Sequence, residues 1–353
     1  MEKLHIDCAG GNYDIVISPG AWDMAAEIPG KKLLVCDSNV EKLYRAEAEK
    51  RFSPIDTFVF PAGEEHKTID TVMALCRRAA ALKLDRKCTF VALGGGVTGD
   101  LTGFAAAIYL RGVKVMQVPT TLLAMVDSSV GGKTAVDIPE GKNLVGAFHQ
   151  PCRVVIDPAM LATLPERELK NGLAEVVKTA VLGDAELFEL LEKHAGKLLE
   201  KPLDTELYGE IIRRCCKVKA AIVADDEHEH GCRAFLNYGH TFGHALELLS
   251  GFRLAHGEGV ALGMSVAAKL AVKLGICDAE TEKRQLALLR ALGEPTELPA
   301  VVAPETWFAA MRGDKKARDG RVVFVLPEKI GKVRLVDTLT ETEVVGFLRE
   351  VAR

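Results

Sequence analysis

Between Tyr13 and Val118, short runs of continuous apolar residues alternate with stretches of helical periodicity. Strand-like runs are Tyr13–Ser18, Lys32–Cys36, Thr57–Phe60, Thr89–Leu93 and Val113–Val118, the last stopped by Pro119. A polar helix over Val40–Phe52 and an amphipathic one over Thr68–Leu82 separate them. Unbroken apolar strands must be buried on both faces, which demands a parallel sheet covered by helices. Ligands of such sheets sit at the carboxyl ends of the strands. From about Pro165 the pattern turns helical: Glu168–Leu182, Glu186–Leu199, Leu207–Val223, Asn237–Leu249, Gly257–Leu274 and Glu280–Leu292. Gly275, Gly293 and Pro295 act as stops. Val322–Leu326 and Lys332–Leu335 suit a short late hairpin. The expected architecture is an α/β, Rossmann-like nucleotide-binding domain over 1–160 and an all-α metal- and substrate-binding domain over 161–353.

Composition narrows the function classes. A net charge of −4 and a pI of about 6.2 argue against a nucleic-acid partner. No apolar run approaches the roughly 20 residues of a membrane helix, and the first residues lack the apolar core of a signal peptide. Nine cysteines without CxxC spacing fit reduced thiols and a cytoplasmic location.

Three constellations carry chemistry. The first follows the strand ending at Leu93: Gly94-Gly95-Gly96-Val97-Thr98-Gly99-Asp100. Glycines let the backbone approach a pyrophosphate, and the helix behind them attracts negative charge. No acidic residue stands the expected ~20 positions on, so Asp37, ending an earlier strand, is the better ribose candidate. Thr120 and Thr121 follow the next strand and can hydrogen-bond ribose or phosphate. Glu64 and Lys67 offer an acceptor and a phosphate partner, against the plainer reading of a solvated loop.

The second constellation suits a metal. His240 and His244 stand at i and i+4 on one helix face, and His256 opens the next helix. Glu175 is a lone carboxylate among Ala, Val and Leu, costly unless paired, with Lys178 on its face. One Glu and two His could hold a divalent ion with open positions for substrate oxygens, leaving the third His for proton or phosphate work. The third constellation is a set of donors for an anionic substrate: Lys133 after a small-residue loop, Lys142, Asn143, Lys219, Arg233, Lys315 and Lys316. His228, Glu229 and His230 read as a solvated acidic loop, with Glu229 able to reach a site.

At this point the sequence resembles the dehydroquinate synthase family. The stretches that carry the resemblance are GEEHK (63–67), GGGVTGDLTGFAAAIYLRG (94–112), VPTTLLAMVDSSVGGKTAVD (118–137) and GKNLVGAFHQP (141–151). They continue with GLAEVVK (172–178), LNYGHTFGHALE (236–247), HGEGVALGM (256–264) and DKK (314–316), in family order. The resemblance implies NAD at Asp37, Asn39, Glu64, Lys67, Gly95, Gly96, Val97, Asp100, Thr120, Thr121 and Leu123, with Lys142 and Asn143 beside them. It implies zinc or cobalt on Glu175, His240 and His256, which moves His244 to the substrate shell. Substrate then falls to Asp127, Lys133, Asn143, Lys178, Lys219, Arg233, Asn237, His244 and one of Lys315 and Lys316. Arg111 corresponds to an arginine that serves the neighbouring subunit's site, so a homodimer is implied.

The implied reaction turns 3-deoxy-D-arabino-heptulosonate 7-phosphate into 3-dehydroquinate. It runs by transient oxidation, phosphate elimination, reduction, ring opening and aldol closure. Alternatives are a sister sugar phosphate cyclase and a metal-dependent polyol or glycerol-phosphate dehydrogenase.

Overall fold

The computed structural model describes residues 2–229, 231–251, 253–298, 303–313 and 322–351. In chain order the first strands and helices are β1 (Glu2–Ile6), β2 (Tyr13–Ile17), β3 (Lys32–Asp37), α1 (Ser38–Phe52), β4 (Asp56–Phe60), α2 (Ile69–Ala81), β5 (Thr89–Gly94) and α3 (Gly96–Ile108). Then come β6 (Lys114–Pro119), β7 (Lys133–Ile138), β8 (Gly141–Phe148) and β9 (Arg153–Ile156). The helical half holds α4 (Glu166–Gly183), α5 (Ala185–His194), α6 (Thr205–Asp225), α7 (His240–Leu249), α8 (His256–Lys273), α9 (Ala279–Ala291) and α10 (Pro304–Arg312). It closes with β10 (Phe324–Lys329), β11 (Lys332–Val336) and α11 (Glu341–Val351). Two compact units result: 1–165 with 204–228, and 166–203 with 229–353.

In the first unit the described residues form a seven-stranded sheet ordered β1-β2-β9-β6-β5-β3-β4. It is parallel except for the edge pair β1–β2. β5 is buried along its whole length and β3 along all but its last residue, as continuous apolar runs require. Leu33, Val35, Phe90 and Val115 of the sheet pack against Val72, Leu75 and Ala79 of α2 and Leu101, Phe104 and Ala105 of α3. β3 lies between β4 and β5, so the chain order reverses there. Asp37 and the Gly94–Gly96 turn end β3 and β5, which places both at a topological switch point, where sheets of this kind bind ligands. The glycines of α3 make room for its neighbours. A Cβ on Gly99 would stand 2.8 Å from Gln117 Oε1, and one on Gly103 2.4 Å from Thr134 Cγ2.

The periodicity did not show three features of this unit. β1 and β9 are short strands at and near one end of the sheet, too brief to declare a period. The stretch read as a small-residue loop before Lys133 holds a π-helical turn over Ala124–Ser128 and then enters β7. β7 pairs antiparallel with β8 outside the main sheet. Gly146 permits that pairing, since a Cβ there would fall 2.1 Å from the Thr134 carbonyl oxygen.

In the second unit helices dominate, and the late hairpin is present as β10–β11. α7 and α8 cross at glycines. A Cβ on Gly263 would sit 1.9 Å from the Gly239 carbonyl oxygen, and one on Gly243 2.5 Å from that of Gly259. At Gly257 a Cβ would fall 2.4 Å from the Asn171 carbonyl oxygen of α4, and the Gly257 amide donates to Asn171 Oδ1. The small residues of the HGEGVALGM stretch are thus where backbones touch.

Glu294, just past α9, is 5% exposed, and its Oε1 finds no hydrogen-bond partner among the described residues. Burial pushes its carboxyl up to about 8, with the Glu258 charge adding to the effect and Lys170 opposing it. The folded chain therefore holds this proton more tightly than the unfolded one. Stability is undiminished below the ordinary carboxylate range and falls as pH rises through it toward about 8. Glu294→Gln should stabilise the chain by roughly 1–3 kcal/mol at pH 8 and by little near pH 4. Urea unfolding at the two pH values checks this; equal gains at both would refute it.

Candidate metal and nucleotide sites

In the first unit, Asp37 caps α1 by accepting from the Asn39 and Val40 amides at 2.8 and 3.0 Å. Its second oxygen faces the Thr98 hydroxyl at 3.4 Å. Gly95 is the N-cap of α3, with no side chain serving the cap and no acidic residue in the first turn. The helix N-terminus is left for an anion. A Cβ on Gly95 would stand 3.1 Å from Thr121 Cγ2, and one on Gly96 3.2 Å from Ser128 Oγ and 3.8 Å from Leu123 Cδ2, so this floor is tight. Thr120 is buried and its amide donates to the Gly94 carbonyl at 2.9 Å, which ties β5's turn to β6's. The Thr121 hydroxyl accepts from the Ala124 amide at 3.2 Å. Val97 packs against the sheet core.

Lys67 gathers the next group. Its ammonium lies 2.7 Å from Asp100 Oδ2 and 3.8 Å from Glu64 Oε1, and it donates to Asn143 Oδ1 at 2.6 Å. The side chain is only 5% exposed. Burial alone would pull the ammonium down, but the Asp100 and Glu64 charges outweigh it and raise its pKa. Asn143 takes a left-handed backbone, φ 55°, and its amide donates to Asp137 Oδ1 at 2.8 Å. Lys219, on α6, pairs with the Asp127 carboxylate and donates to its backbone carbonyl at 2.6 Å. Lys133 and Lys142 are exposed on the β7–β8 hairpin. Arg111 is exposed on a turn where Leu110 and Arg111 both have positive φ, 50° and 66°. Two consecutive non-glycine residues there store strain of the sort kept at functional turns.

In the second unit, Glu175 of α4 is fully buried. Its Oε1 lies 3.0 Å from His256 Nε2 and 3.5 Å from His240 Nε2. Lys178 Nζ holds the other oxygen at 2.5 Å. The far nitrogens of both rings are engaged. His240 Nδ1 lies 3.1 Å from the Tyr238 carbonyl oxygen, which can only accept, so Nδ1 carries the hydrogen. His256 Nδ1 lies 3.1 Å from Glu247 Oε1. With their far nitrogens so held, both rings direct Nε2 at Glu175, the orientation that metal-bound imidazoles use. Burial alone would hold His256 down, yet hydrogen bonds to Glu175 and Glu247 push it up to about 10. The pocket demands positive charge, and a carboxylate with two imidazoles is a donor set zinc or cobalt accepts. The residues fit a divalent ion.

His244 lies near both rings, with centroids 5.0 Å from His240 and 5.8 Å from His256. Asn237 Nδ2 donates to Glu229 Oε1 at 2.9 Å, which ties the acidic loop to one of the expected substrate residues. Arg233 is 1% exposed. Lys315, Lys316 and His230 lie outside the described residues. Glu247 and the Tyr238 carbonyl were missed from sequence. His240, His244 and Glu247 fall at i, i+4 and i+7 of α7, one helix face, and that spacing was the available signal.

Comparison with known proteins places this geometry. The family profile for the 3-dehydroquinate synthase N-terminal region matches residues 57–171, and that for the C-terminal region matches 172–317. A 3-dehydroquinate synthase of Desulforamulus reducens is 45% identical, covering 99% of this chain and 100% of that one. One of Nostoc punctiforme is 47% identical over 95% of each chain. Among solved structures, ValA, a 2-epi-5-epi-valiolone synthase from Streptomyces hygroscopicus with NAD+ and Zn2+ bound, is 32% identical and superposes with a TM-score of 0.89 over 96% of both chains. A 2-deoxy-scyllo-inosose synthase complexed with carbaglucose-6-phosphate, NAD+ and Co2+ is 28% identical, with a TM-score of 0.89 over 99% of this chain and 100% of that one. A probable glycerol dehydrogenase from Sinorhizobium meliloti, 18% identical over 98% of each chain with a TM-score of 0.69, shares the fold alone.

Proposed function

The chain belongs to the 3-dehydroquinate synthase family, and we infer that it converts 3-deoxy-D-arabino-heptulosonate 7-phosphate into 3-dehydroquinate and phosphate. It is a phosphate-eliminating lyase that uses NAD and a divalent metal, zinc or cobalt. The observation that carries the reading is the convergence of Glu175, His240 and His256 with both far ring nitrogens engaged. When bound, NAD supplies a hydride acceptor and then a donor, and the metal supplies Lewis acidity toward substrate oxygens.

The chain's own residues bind and position. In this proposal Glu175 Oε1 and the two Nε2 atoms hold the ion, while Lys178 keeps the other carboxylate oxygen turned away. The unserved N-terminus of α3, behind Gly95 and Gly96, receives the pyrophosphate. Asp37 and Asn39 take one ribose, and the Thr120–Leu123 segment with Lys67, Asp100, Glu64, Lys142 and Asn143 orients the nicotinamide half. Lys133, Lys219, Arg233, Asn237 and His244 bind the substrate's phosphate and carboxylate by charge-assisted bonds, and Asp127 sets the Lys219 ammonium. Phosphate departs with its own oxygen as base, so the protein need only hold geometry and charge.

We also propose a homodimer in which the strained, exposed Arg111 turn serves the neighbouring site. A cytoplasmic location accords with free cysteines and with the finding that no described helix is long and apolar enough to cross a membrane.

The test is an assay of metal-loaded protein with the heptulosonate phosphate and catalytic NAD+, following phosphate, dehydroquinate and NADH together. Equal phosphate and dehydroquinate without net NADH is expected. NADH accumulating with turnover would assign a dehydrogenase instead. Cyclisation of a different sugar phosphate would assign a sister cyclase.

A further inference from the structure

We propose that Glu247 is a positioning residue for the metal seat, acting through His256. The proposal rests on the reading of Glu175, His240 and His256 as that seat. Glu247 sits on α7 and is 7% exposed. A carboxylate so buried is costly unless something compensates it. Among the described residues its carboxylate has one hydrogen-bonding partner, His256 Nδ1 at 3.1 Å. The opposite nitrogen of the same ring points at Glu175 Oε1, 3.0 Å away. The imidazole is therefore strung between two carboxylates on two different helices, α4 and α7, while its own backbone begins a third, α8. Such a ring has one orientation that satisfies both ends. Glu247 keeps the hydrogen on Nδ1 and raises the donor strength of Nε2, which faces the ion's place.

Gly259 makes space for this contact. A Cβ on Gly259 would lie 2.8 Å from both Glu247 Cγ and Oε1, and all three of its nearest neighbours are atoms of that side chain. Two glycines flanking Glu258 thus have separate tasks. Gly257 lets α8 touch α4 at Asn171, and Gly259 admits the carboxylate that aims His256. An alanine at 259 would displace the Glu247 side chain rather than any backbone, and alanine favours a helix interior over glycine by about 1 kcal/mol. Gly259→Ala is therefore a second route to the same disturbance that leaves the carboxylate in the sequence.

The experiment measures metal binding on the full chain, stripped by a chelator and retitrated with zinc against a chromogenic competitor. The visible spectrum of the cobalt form is recorded beside it. Glu247→Gln should bind zinc roughly 10–100-fold more weakly and shift the cobalt bands, with NAD affinity within about twofold of the parent. Gly259→Ala should move both metal readouts the same way, and decides the matter if Glu247→Gln does not fold. Zinc affinity within about twofold and a superposable cobalt spectrum in whichever of the two folds would overturn the proposal. Glu175→Ala and His256→Ala separate the two levels. If these retain parental zinc affinity, the seat itself has been misread. If they lose zinc while Glu247→Gln keeps it, the seat stands and only the positioning role fails.

Discussion

Glu175→Gln is expected to abolish tight metal binding and lower kcat by roughly a thousandfold or more, since Lewis-acid stabilisation is worth several kcal/mol and each 1.4 kcal/mol is a factor of ten. Two effects combine. The amide keeps the size of the side chain but loses the charge that a cation between two imidazoles requires. It also leaves Lys178, 2% exposed, without the carboxylate at 2.5 Å that balances it. Breaking a buried pair from one side costs about 3 kcal/mol, so the variant should melt earlier even without metal. His240→Ala separates the two effects, because it removes a ring nitrogen and spares the Glu175–Lys178 pair. It should lose metal and activity comparably while keeping most of the parent's stability. Metal content by elemental analysis, NAD binding by fluorescence and a urea melt decide among these. A Glu175→Gln protein that keeps stoichiometric metal would sink the assignment.

Lys67→Met is expected to destabilise the first unit by about 3 kcal/mol and to weaken NAD binding. Lys67 is the cation to which Asp100, Glu64 and Asn143 all turn, and its own side chain is 5% exposed. Removing it leaves the Asp100 carboxylate, 19% exposed, beside a greasy methionine and without its nearest counter-charge. The same loss removes the Lys67 hydrogen bond to Asn143 of β8. The double variant Lys67→Met/Asp100→Asn should recover much of the stability but not the nucleotide affinity, because the charge imbalance is gone while the donor to the ligand is not restored. Additive rather than compensating losses in this cycle would show that the pair contributes little.

How far the sequence reached can be read from particular residues. The buried runs at β3 and β5 were legible because a strand covered on both faces has no choice but to be apolar throughout. The helices from α4 to α9 were legible from their period, and the ends of α8 and α9 from stops at Gly275 and Gly293; the Asp184, Asp204 and Asp278 caps and the helices α10 and α11 were not read. Glu175 and the three histidines 240, 244 and 256 stood out because an acid amid apolar residues and histidines at helical spacing are expensive or unusual, while the choice of His240 and His256 over His244 came from the family resemblance. The β7–β8 hairpin was hidden, since its exposure is irregular and its glycines mimic a loop. Glu247 was hidden for a different reason. Its spacing puts it on the face of His240 and His244, but its burial against His256 exists only once α8 is in place.

By itself, then, the sequence determined the central buried strands, the helices from α4 to α9, and which residue types are available for metal, nucleotide and anion. These follow from local rules: period, burial of apolar runs and the cost of stranded charge. Only the tertiary structure decided which nitrogen of His256 faces Glu175, and that Lys67 gathers Asp100 and Asn143. The first of these joins residues as far apart in the chain as Glu175 and His256, across helices α4, α7 and α8 that approach one another at glycines 243, 257 and 263. Backbone contact at that range depends on three-dimensional packing, which no local spacing encodes.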